Sequence, residues 1–222
     1  MKLNKYIDHT LLKSDATYAQ IEKLCSEAQE NEFFSVCVNS YYVKKCVALL
    51  SGSSVKVCTV VGFPLGASTM ETKRFEAMKA VAEGASEIDM VMNNSAVKSG
   101  DWQYVQNDMA SLAQVCHQQG AILKVILETC LLTDEEKRKA CEIAKRANVD
   151  FVKTSTGFST GGATEDDVKL MRSIVGDKIG VKASGGIRDA ETALRMIRAG
   201  ASRLGTSASV EIVKGLTGTG NY

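Results

Sequence analysis

The feature that most constrains this chain is a repeat of spacing, not of sequence: short β-rich runs alternate with amphipathic helical stretches from end to end. The runs are Tyr6–Thr10, Phe33–Asn39, Val55–Val61, Glu87–Met92, Ala121–Leu127, Asp150–Thr154, Lys178–Ala183 and Ser202–Gly205, and they begin at intervals of roughly 22 to 34 residues. That is the length of one strand–helix unit. Several runs, such as VKVCTVV and ILKVIL, are apolar at consecutive positions, as strands covered on both faces are. Eight units in 222 residues predict an α/β protein folded as a single-domain (β/α)8 TIM barrel. An open doubly wound sheet also alternates strand and helix, but it usually carries a glycine fingerprint after its first strand, where this chain reads IDHTLLK.

The helical stretches carry their own start and stop signals. In the first, Ile21, Leu24, Cys25 and Ala28 fall on one face at i, i+3, i+4, i+7, with Glu22, Lys23 and Glu27 elsewhere. Ser68-x-x-Glu71 and Thr133-x-x-Glu136 read as capping boxes. Asp189 reads as the N-cap of a helix over Ala190–Ala199 with Gly200 as its stop, and Gly84 and Gly120 close earlier helices. No linker or composition shift divides the chain. Residues 1–222 are expected to form one domain with a flexible, glycine-rich tail about residues 215–222.

Charge narrows the functional classes. A net charge of +1 supplies no global field to recruit nucleic acid or an anionic membrane, so any bound anion must be held by a local site. The start, MKLNKYIDHT, lacks the apolar stretch of a secretory signal, and no apolar run approaches the ~18 residues of a membrane span. A soluble cytoplasmic protein is expected. The seven cysteines are never spaced as CxxC and read as small buried hydrophobes in a reducing compartment. His9 and His117 sit beside no ligand cluster, so neither a metal nor another cofactor is expected.

In a barrel of this type, catalytic groups project from the carboxyl ends of the strands. The polar residues there are Asp8, Cys37, Asp89, Glu128, Lys153 and Lys182. Lys153 in DFVKTSTG and Lys182 in IGVKASGG occupy equivalent places on neighbouring strands, which puts two ammonium groups into one mouth. Like charges that close disfavour the doubly charged state, and a neutral amine is what attack on a carbonyl requires. Snorkelling of either lysine to solvent is the competing reading. Asp89 in SEIDMVM can relay protons or simply pair with a lysine. Asp8 invites the same two readings, with a supporting role favoured, and Glu128 reads as a bystander.

Two glycine-containing turns follow the last two runs: Ser184-Gly185-Gly186-Ile187-Arg188, and Gly205-Thr206-Ser207, each leading into a helix. Glycine lets the backbone approach an anion closely, and phosphate sites in this fold recur after the seventh and eighth strands. Gly157, at the end of TSTG, offers a further donor wall. An amine nucleophile, a second amine, a carboxylate and a phosphate grip together suit carbon–carbon bond chemistry on a phosphosugar through an imine. A transaldolase-like enzyme on a longer sugar phosphate, or a phosphosugar-binding protein without catalysis, would share part of this set.

VKTSTG, GVKASGGIR, EIDMVMN, IDHTLL and VCVNSYYV resemble the 2-deoxyribose-5-phosphate aldolase family, in order and spacing, from Ile7 to Ser209. The resemblance implies a class I, metal-free lyase that joins acetaldehyde to D-glyceraldehyde 3-phosphate and cleaves 2-deoxyribose 5-phosphate in deoxyribonucleotide catabolism. It implies Lys153 as the Schiff-base lysine, Lys182 as the lysine that perturbs it, and Asp89 as the carboxylate of the proton relay. Gly157, Gly185, Gly186, Gly205 and Ser207 match phosphate-contacting turns. Asp8, Cys37 and Thr156 are expected to support the site, and Tyr222 matches a tail tyrosine that reaches the site in some relatives. A homodimer is a further expectation. One position departs: some relatives carry a lysine after KTSTG, where this chain has Phe158. Its ring cannot hold a phosphate, so discrimination between deoxyribose 5-phosphate and deoxyribose is expected to be weaker than in lysine-bearing relatives; comparison of kcat/KM on the two sugars checks this, and an absence of any preference would refute phosphate recognition.

Overall fold

The computed structural model describes residues 2–219. Its strands are β1 (Ile7–Leu11), β2 (Ser35–Val38), β3 (Lys56–Val61), β4 (Glu87–Val91), β5 (Ile122–Ile126), β6 (Phe151–Lys153), β7 (Gly180–Ser184) and β8 (Arg203–Thr206). Each pairs in parallel with its sequence neighbour, and β8 closes on β1 with Asp8 opposite Gly205. Closure decides for the barrel over the open sheet. The strands are shorter than the apolar runs because the runs include their flanks: Tyr6 belongs to a 3-10 turn, and Lys178–Ile179 precede β7.

The connections hold α1 (Tyr18–Glu30), α2 (Val43–Leu49), α3 (Met70–Ala82), α4 (Asn94–Lys98), α5 (Trp102–Gln118), α6 (Asp134–Arg146), α7 (Glu165–Val175), α8 (Ala190–Arg198) and α9 (Ser209–Val213). The expected α1 face, Ile21, Leu24, Cys25 and Ala28, is buried. The Thr133–Glu136 capping box forms as expected, and so does a second at Thr17 and Gln20. The Ser68 box does not: α3 starts one residue later on Thr69, which accepts from the Thr72 amide, so Glu71 falls at the second helical position and cannot reach back. Asp189 caps α8, and Gly84, Gly120 and Gly200 take the positive φ that ends a helix.

Period-two alternation sorts the strands into two faces. Outward residues such as Ile88, Met90, Leu123, Val125, Val152, Val181 and Leu204 pack under the helices in one continuous apolar core. Inward positions hold a small cluster of Leu12, Cys37, Cys58 and Val60, and otherwise polar and charged groups. Six of the seven cysteines are buried thiols; Cys130 is exposed. His9 points away from the barrel interior and ties β1 to two helices, at 2.9 Å from Glu27 of α1 and 2.8 Å from Ser209 of α9. At the end of the described chain Gly218 is buried and donates to the Arg188 carbonyl at 2.8 Å, so the tail is anchored there. No helix among the described residues is long and apolar enough to cross a membrane.

One helix–helix contact breaks the apolar rule. Lys73 of α3, wholly buried, donates to Asp108 of α5 at 2.6 Å and to the Val91 carbonyl at 2.9 Å. Removing one partner of such a pair strands a buried charge. Asp108→Ala is expected to lose about 3–5 kcal/mol in urea unfolding. Lys73→Met/Asp108→Leu, which keeps volume without charge, is expected to recover most of that; a double variant as unstable as the single would contradict the assignment.

Candidate active site

The register of β6 on β7 sets Lys153 opposite Lys182, so both side chains enter the barrel at one level. Lys153 Nζ and Lys182 Nζ each lie 2.8 Å from the same atom, Asp89 Oδ2. Asp89 and Lys182 are fully buried, and Lys153 is 3% exposed. Neither lysine snorkels. The carboxylate stands between the two amines, so the repulsion expected from sequence is bridged: burial disfavours the Lys182 ammonium, but Asp8 and Asp89 outweigh it and push its pKa up.

A deeper layer was invisible at the strand ends. Lys124, in the middle of β5, donates to Asp89 Oδ1 at 2.8 Å and pairs with Glu87 at 2.5 Å. Arg203 of β8 reaches Asp8 at 2.8 Å and Glu87 at 3.0 Å, stacked over the Phe34 ring. Lys182 completes the circuit by pairing with Asp8. Burial works to raise the Asp89 carboxyl, but Lys124, Lys153 and Lys182 together hold it well below the usual carboxylate range. Asp8 is lowered in the same way, burial being outweighed by Lys182, Arg203 and Lys124. Lys124 is raised well above the ordinary lysine value, Asp89 leading the groups that overcome its desolvation.

The network therefore sets four bases, Lys124, Lys153, Lys182 and Arg203, against three carboxylates, Asp8, Glu87 and Asp89. With every member ionised, one positive charge is in excess. Lys124, Lys182 and Arg203 each contact two carboxylates within 3.0 Å; among the described residues Lys153 reaches Asp89 alone.

The other residues singled out from sequence divide into groups. Cys37 is buried beside Cys58, whose thiol donates to Asp89 Oδ1 at 3.2 Å. Cys37, Cys58 and Asp89, and Asp8, Cys58 and Glu87, are close enough among the described residues to share a cation. Lys124 already occupies that ground, touching Asp89, Glu87 and Cys58, so the donor set fits an ammonium and not a metal ion. Glu128 is buried, with its carboxylate on Thr156; burial raises its pKa above the usual carboxylate range against the pull of those hydrogen bonds and of Lys153. Gly157, Gly185 and Gly186 all have positive φ, and a Cβ on Gly185 would lie 3.5 Å from Ser155 and 3.7 Å from Gly157, so the turns after β6 and β7 adjoin. Gly205 of β8 pairs with Ser184 of β7, which brings the third turn alongside, with Ser207 half-buried at its end. At the α8 amino terminus the expected Asp189 cap forms, 2.7 Å from the Thr192 amide, so a carboxylate already stands where an anion would sit. Phe158 packs edge-on to Phe63. Tyr222 lies outside the described residues.

The model of the DeoC/LacD family aldolases matches residues 2–218. The chain belongs to that family. It is an aldolase, a lyase acting on carbon–carbon bonds, which removes the alternative of a binding protein without catalysis. It is 61% identical over 221 residues to a deoxyribose-phosphate aldolase of Brevibacillus brevis, covering 100% of this chain and 99% of that one. With a deoxyribose-phosphate aldolase of Streptococcus uberis it shares 58% over 222 residues, the full length of both. Among solved structures, a tetrameric deoxyribose phosphate aldolase from Aeropyrum pernix superposes with a TM-score of 0.90 at 35% identity, covering 96% of this chain and 89% of that chain. The resemblance in the motifs thus extends to the whole aldolase fold.

The charge circuit has a pH signature. The depressed carboxyls of Asp8 and Asp89 stabilise the fold fully above their unfolded value, 3.8, and that contribution is lost as pH falls through their folded values. The raised ammonium groups of Lys124 and Lys182 contribute fully below 10.5, and their share is lost only as pH rises through higher folded values. Urea stability is therefore expected to be flat from about pH 5 to 9, with Lys124→Met lowering the plateau by several kcal/mol because Asp89 and Glu87 lose a buried partner. A Lys124→Met protein as stable as the unsubstituted one would contradict the network.

Proposed function

We propose that this aldolase cleaves 2-deoxyribose 5-phosphate to acetaldehyde and D-glyceraldehyde 3-phosphate, and joins them again, through a Schiff base on Lys153. The observation that carries the reading is the single excess positive charge around Asp89, with Lys153 as the base held by one carboxylate. Loss of its proton balances the seven-membered salt-bridge network and frees a nucleophilic lone pair. The full-length similarity to deoxyribose-phosphate aldolases supports the substrate.

In the synthetic direction, the Lys153 Nζ lone pair attacks the carbonyl carbon of acetaldehyde, and the oxygen leaves as water after protonation. The resulting iminium draws electrons from the neighbouring methyl group. A water held by Lys182 and Asp89 removes one methyl proton, and the C–H electron pair becomes the enamine double bond. Asp89, kept ionised by the Lys124 and Lys182 ammonium groups, serves to hand the proton on and to stabilise iminium charge instead of storing the proton. The enamine carbon then attacks the aldehyde of glyceraldehyde 3-phosphate, whose oxygen takes a proton from the Lys182 side, and water releases the product from Lys153.

The turns at Gly157, Gly185, Gly186, Gly205 and Ser207 are assigned to the phosphate. Their adjacency supports this, with loop amides carrying the contact because Asp189 already caps α8. Asp8 holds Lys182 in place, and Cys37 fills the wall beside Cys58.

Borohydride reduction with acetaldehyde is expected to add an ethyl group to Lys153, located by peptide mass mapping. Lys153→Leu is expected to abolish both trapping and turnover, and retained turnover would exclude the imine. Asp89→Asn is expected to slow proton transfer by ~10²-fold or more. A panel of donor aldehydes and ketones separates this reading from a transaldolase-like one, which would prefer a longer ketose.

A further inference from the structure

Behind the turns assigned to the phosphate stands a buried histidine that the reaction does not use. His9 of β1 lies opposite Thr206 of β8 in the sheet and is 4% exposed. Its Nε2 is 2.9 Å from the Glu27 carboxylate of α1, and its Nδ1 is 2.8 Å from the Ser209 hydroxyl at the start of α9. Ser209, wholly buried, donates that hydroxyl to the Thr206 carbonyl at 3.1 Å. The Thr206 hydroxyl donates in turn to the Ile187 carbonyl at 2.7 Å and accepts from the Ala208 amide at 3.0 Å. Ile187 follows Gly185 and Gly186 on the turn after β7, and Ala208 follows Ser207 on the turn after β8. One threonine joins the two turns, and His9 reaches it through one serine.

A count of hydrogens shows what this chain of contacts requires. A hydroxyl has one hydrogen, and an ionised carboxylate only accepts. With the Ser209 hydrogen on Thr206, His9 Nδ1 has to donate to Ser209 while Nε2 donates to Glu27. Both bonds exist together only on a doubly protonated ring. When the ring gives up one proton, the carboxylate keeps the other on Nε2, and Nδ1 becomes an acceptor. The Ser209 hydrogen then turns to Nδ1, and the Thr206 carbonyl loses it. Glu27 is held below the usual carboxylate range, first by its hydrogen bond to His9 and against its partial burial, and Lys23 of α1 stands 3.6 Å from the same carboxylate. The other neighbours do not titrate: the Phe33 ring packs at 5.2 Å, and Val36 is the partner of His9 on β2.

We propose that His9 is a positioning residue for phosphate recognition: its doubly protonated ring holds Ser209 on Thr206 and so locks the two glycine turns together, and loss of one ring proton slackens their grip. The proposal rests on the assignment of those turns to the phosphate. Preference for the phosphorylated sugar should then fall as pH rises through the ordinary histidine range, about 5 to 8. A phosphate monoester gains its second charge near about pH 6, which by itself would strengthen binding over the same interval. The two effects have opposite signs.

The test measures kcat/KM on 2-deoxyribose 5-phosphate and on 2-deoxyribose at about pH 5.5 and 8.5, on either side of that range, and follows the ratio of the two sugars. The unsubstituted protein is compared with Ser209→Ala and His9→Asn. Lys153 serves both sugars, and the phosphate ionises alike in every assay, so both effects cancel between proteins. At the lower pH the ratio in the unsubstituted protein is expected to exceed that in Ser209→Ala about fivefold, the size of one hydrogen bond, and the excess should fall toward one at the higher pH. His9→Asn, whose amide nitrogen donates to Ser209 without titrating, is expected to keep its excess over Ser209→Ala at both pH values. An unaltered ratio in Ser209→Ala at the lower pH, or an excess in His9→Asn that fades with pH as the histidine protein's does, would overturn the proposal. A general loss of folding would lower turnover of both sugars together and leave the ratio alone. Hydrogen exchange of the Ala208 amide, followed by NMR without any variant or sugar, is expected to lose protection above the histidine range once the intrinsic pH dependence is removed; constant protection would also overturn the proposal. Should exchange respond while neither pH shows a phosphate preference, the assignment of the turns to the phosphate fails and the His9 clamp stands.

Discussion

The buried Asp89 carboxylate, shared by three lysines, is the interaction on which the rest of this molecule turns. An isolated charge cannot be carried into a barrel interior, and a carboxylate with one ammonium partner is usually no more stable than a pair of apolar side chains. Here the interior is built around the carboxylate instead. Lys124 binds one oxygen, Lys153 and Lys182 the other, and the remaining valences of those lysines run on to Glu87 and Asp8, where Arg203 closes the circuit. The helices contribute none of these groups. They seal the outer face of the sheet with a continuous apolar layer, and the sheet in turn shields the charges from water.

This arrangement ties stability and chemistry to the same atoms. A circuit with equal numbers of acids and bases would be a structural device only. One base more than acids leaves Lys153 as the member of the network held by a single carboxylate. The imine chemistry proposed for Lys153 needs a neutral amine, a nearby charge to stabilise an iminium, and a route for protons, and that one imbalance bears on all three. It also explains why the second lysine need not act by simple repulsion: Lys182 is firmly charged, and it shapes the behaviour of Lys153 through the carboxylate they share.

Much of this was legible in the sequence, for definite reasons. Strand spacing gave the barrel because each strand–helix unit has to be long enough to cross the sheet and return. Lys153, Lys182 and Asp89 stood out because polar residues at the carboxyl ends of apolar strands are unexpected. Lys124 did not, because ILKVIL reads as an apolar run interrupted once, and only the register that sets Lys124 opposite Asp89 shows the interruption to be a partner. Glu87 carried a usable signal: two residues before Asp89 on one strand, it had to share its face. Arg203 gave less, lying at the start of a four-residue strand. The Asp189 cap of α8 was legible from residue type and position, whereas the left-handed Glu128 was out of reach, since it depends on how the backbone turns and not on which residue is present.

The proton count on imine formation measures the imbalance directly. Acetaldehyde is added at neutral pH in dilute buffer, and proton uptake is followed by a pH indicator against the amount of trapped adduct. A neutral amine that becomes an iminium must take up a proton as water leaves, so uptake is expected to approach about one proton per chain. Adduct formation with no net uptake would mean that Lys153 starts as an ammonium, and that the surplus charge in the barrel is not the source of its reactivity.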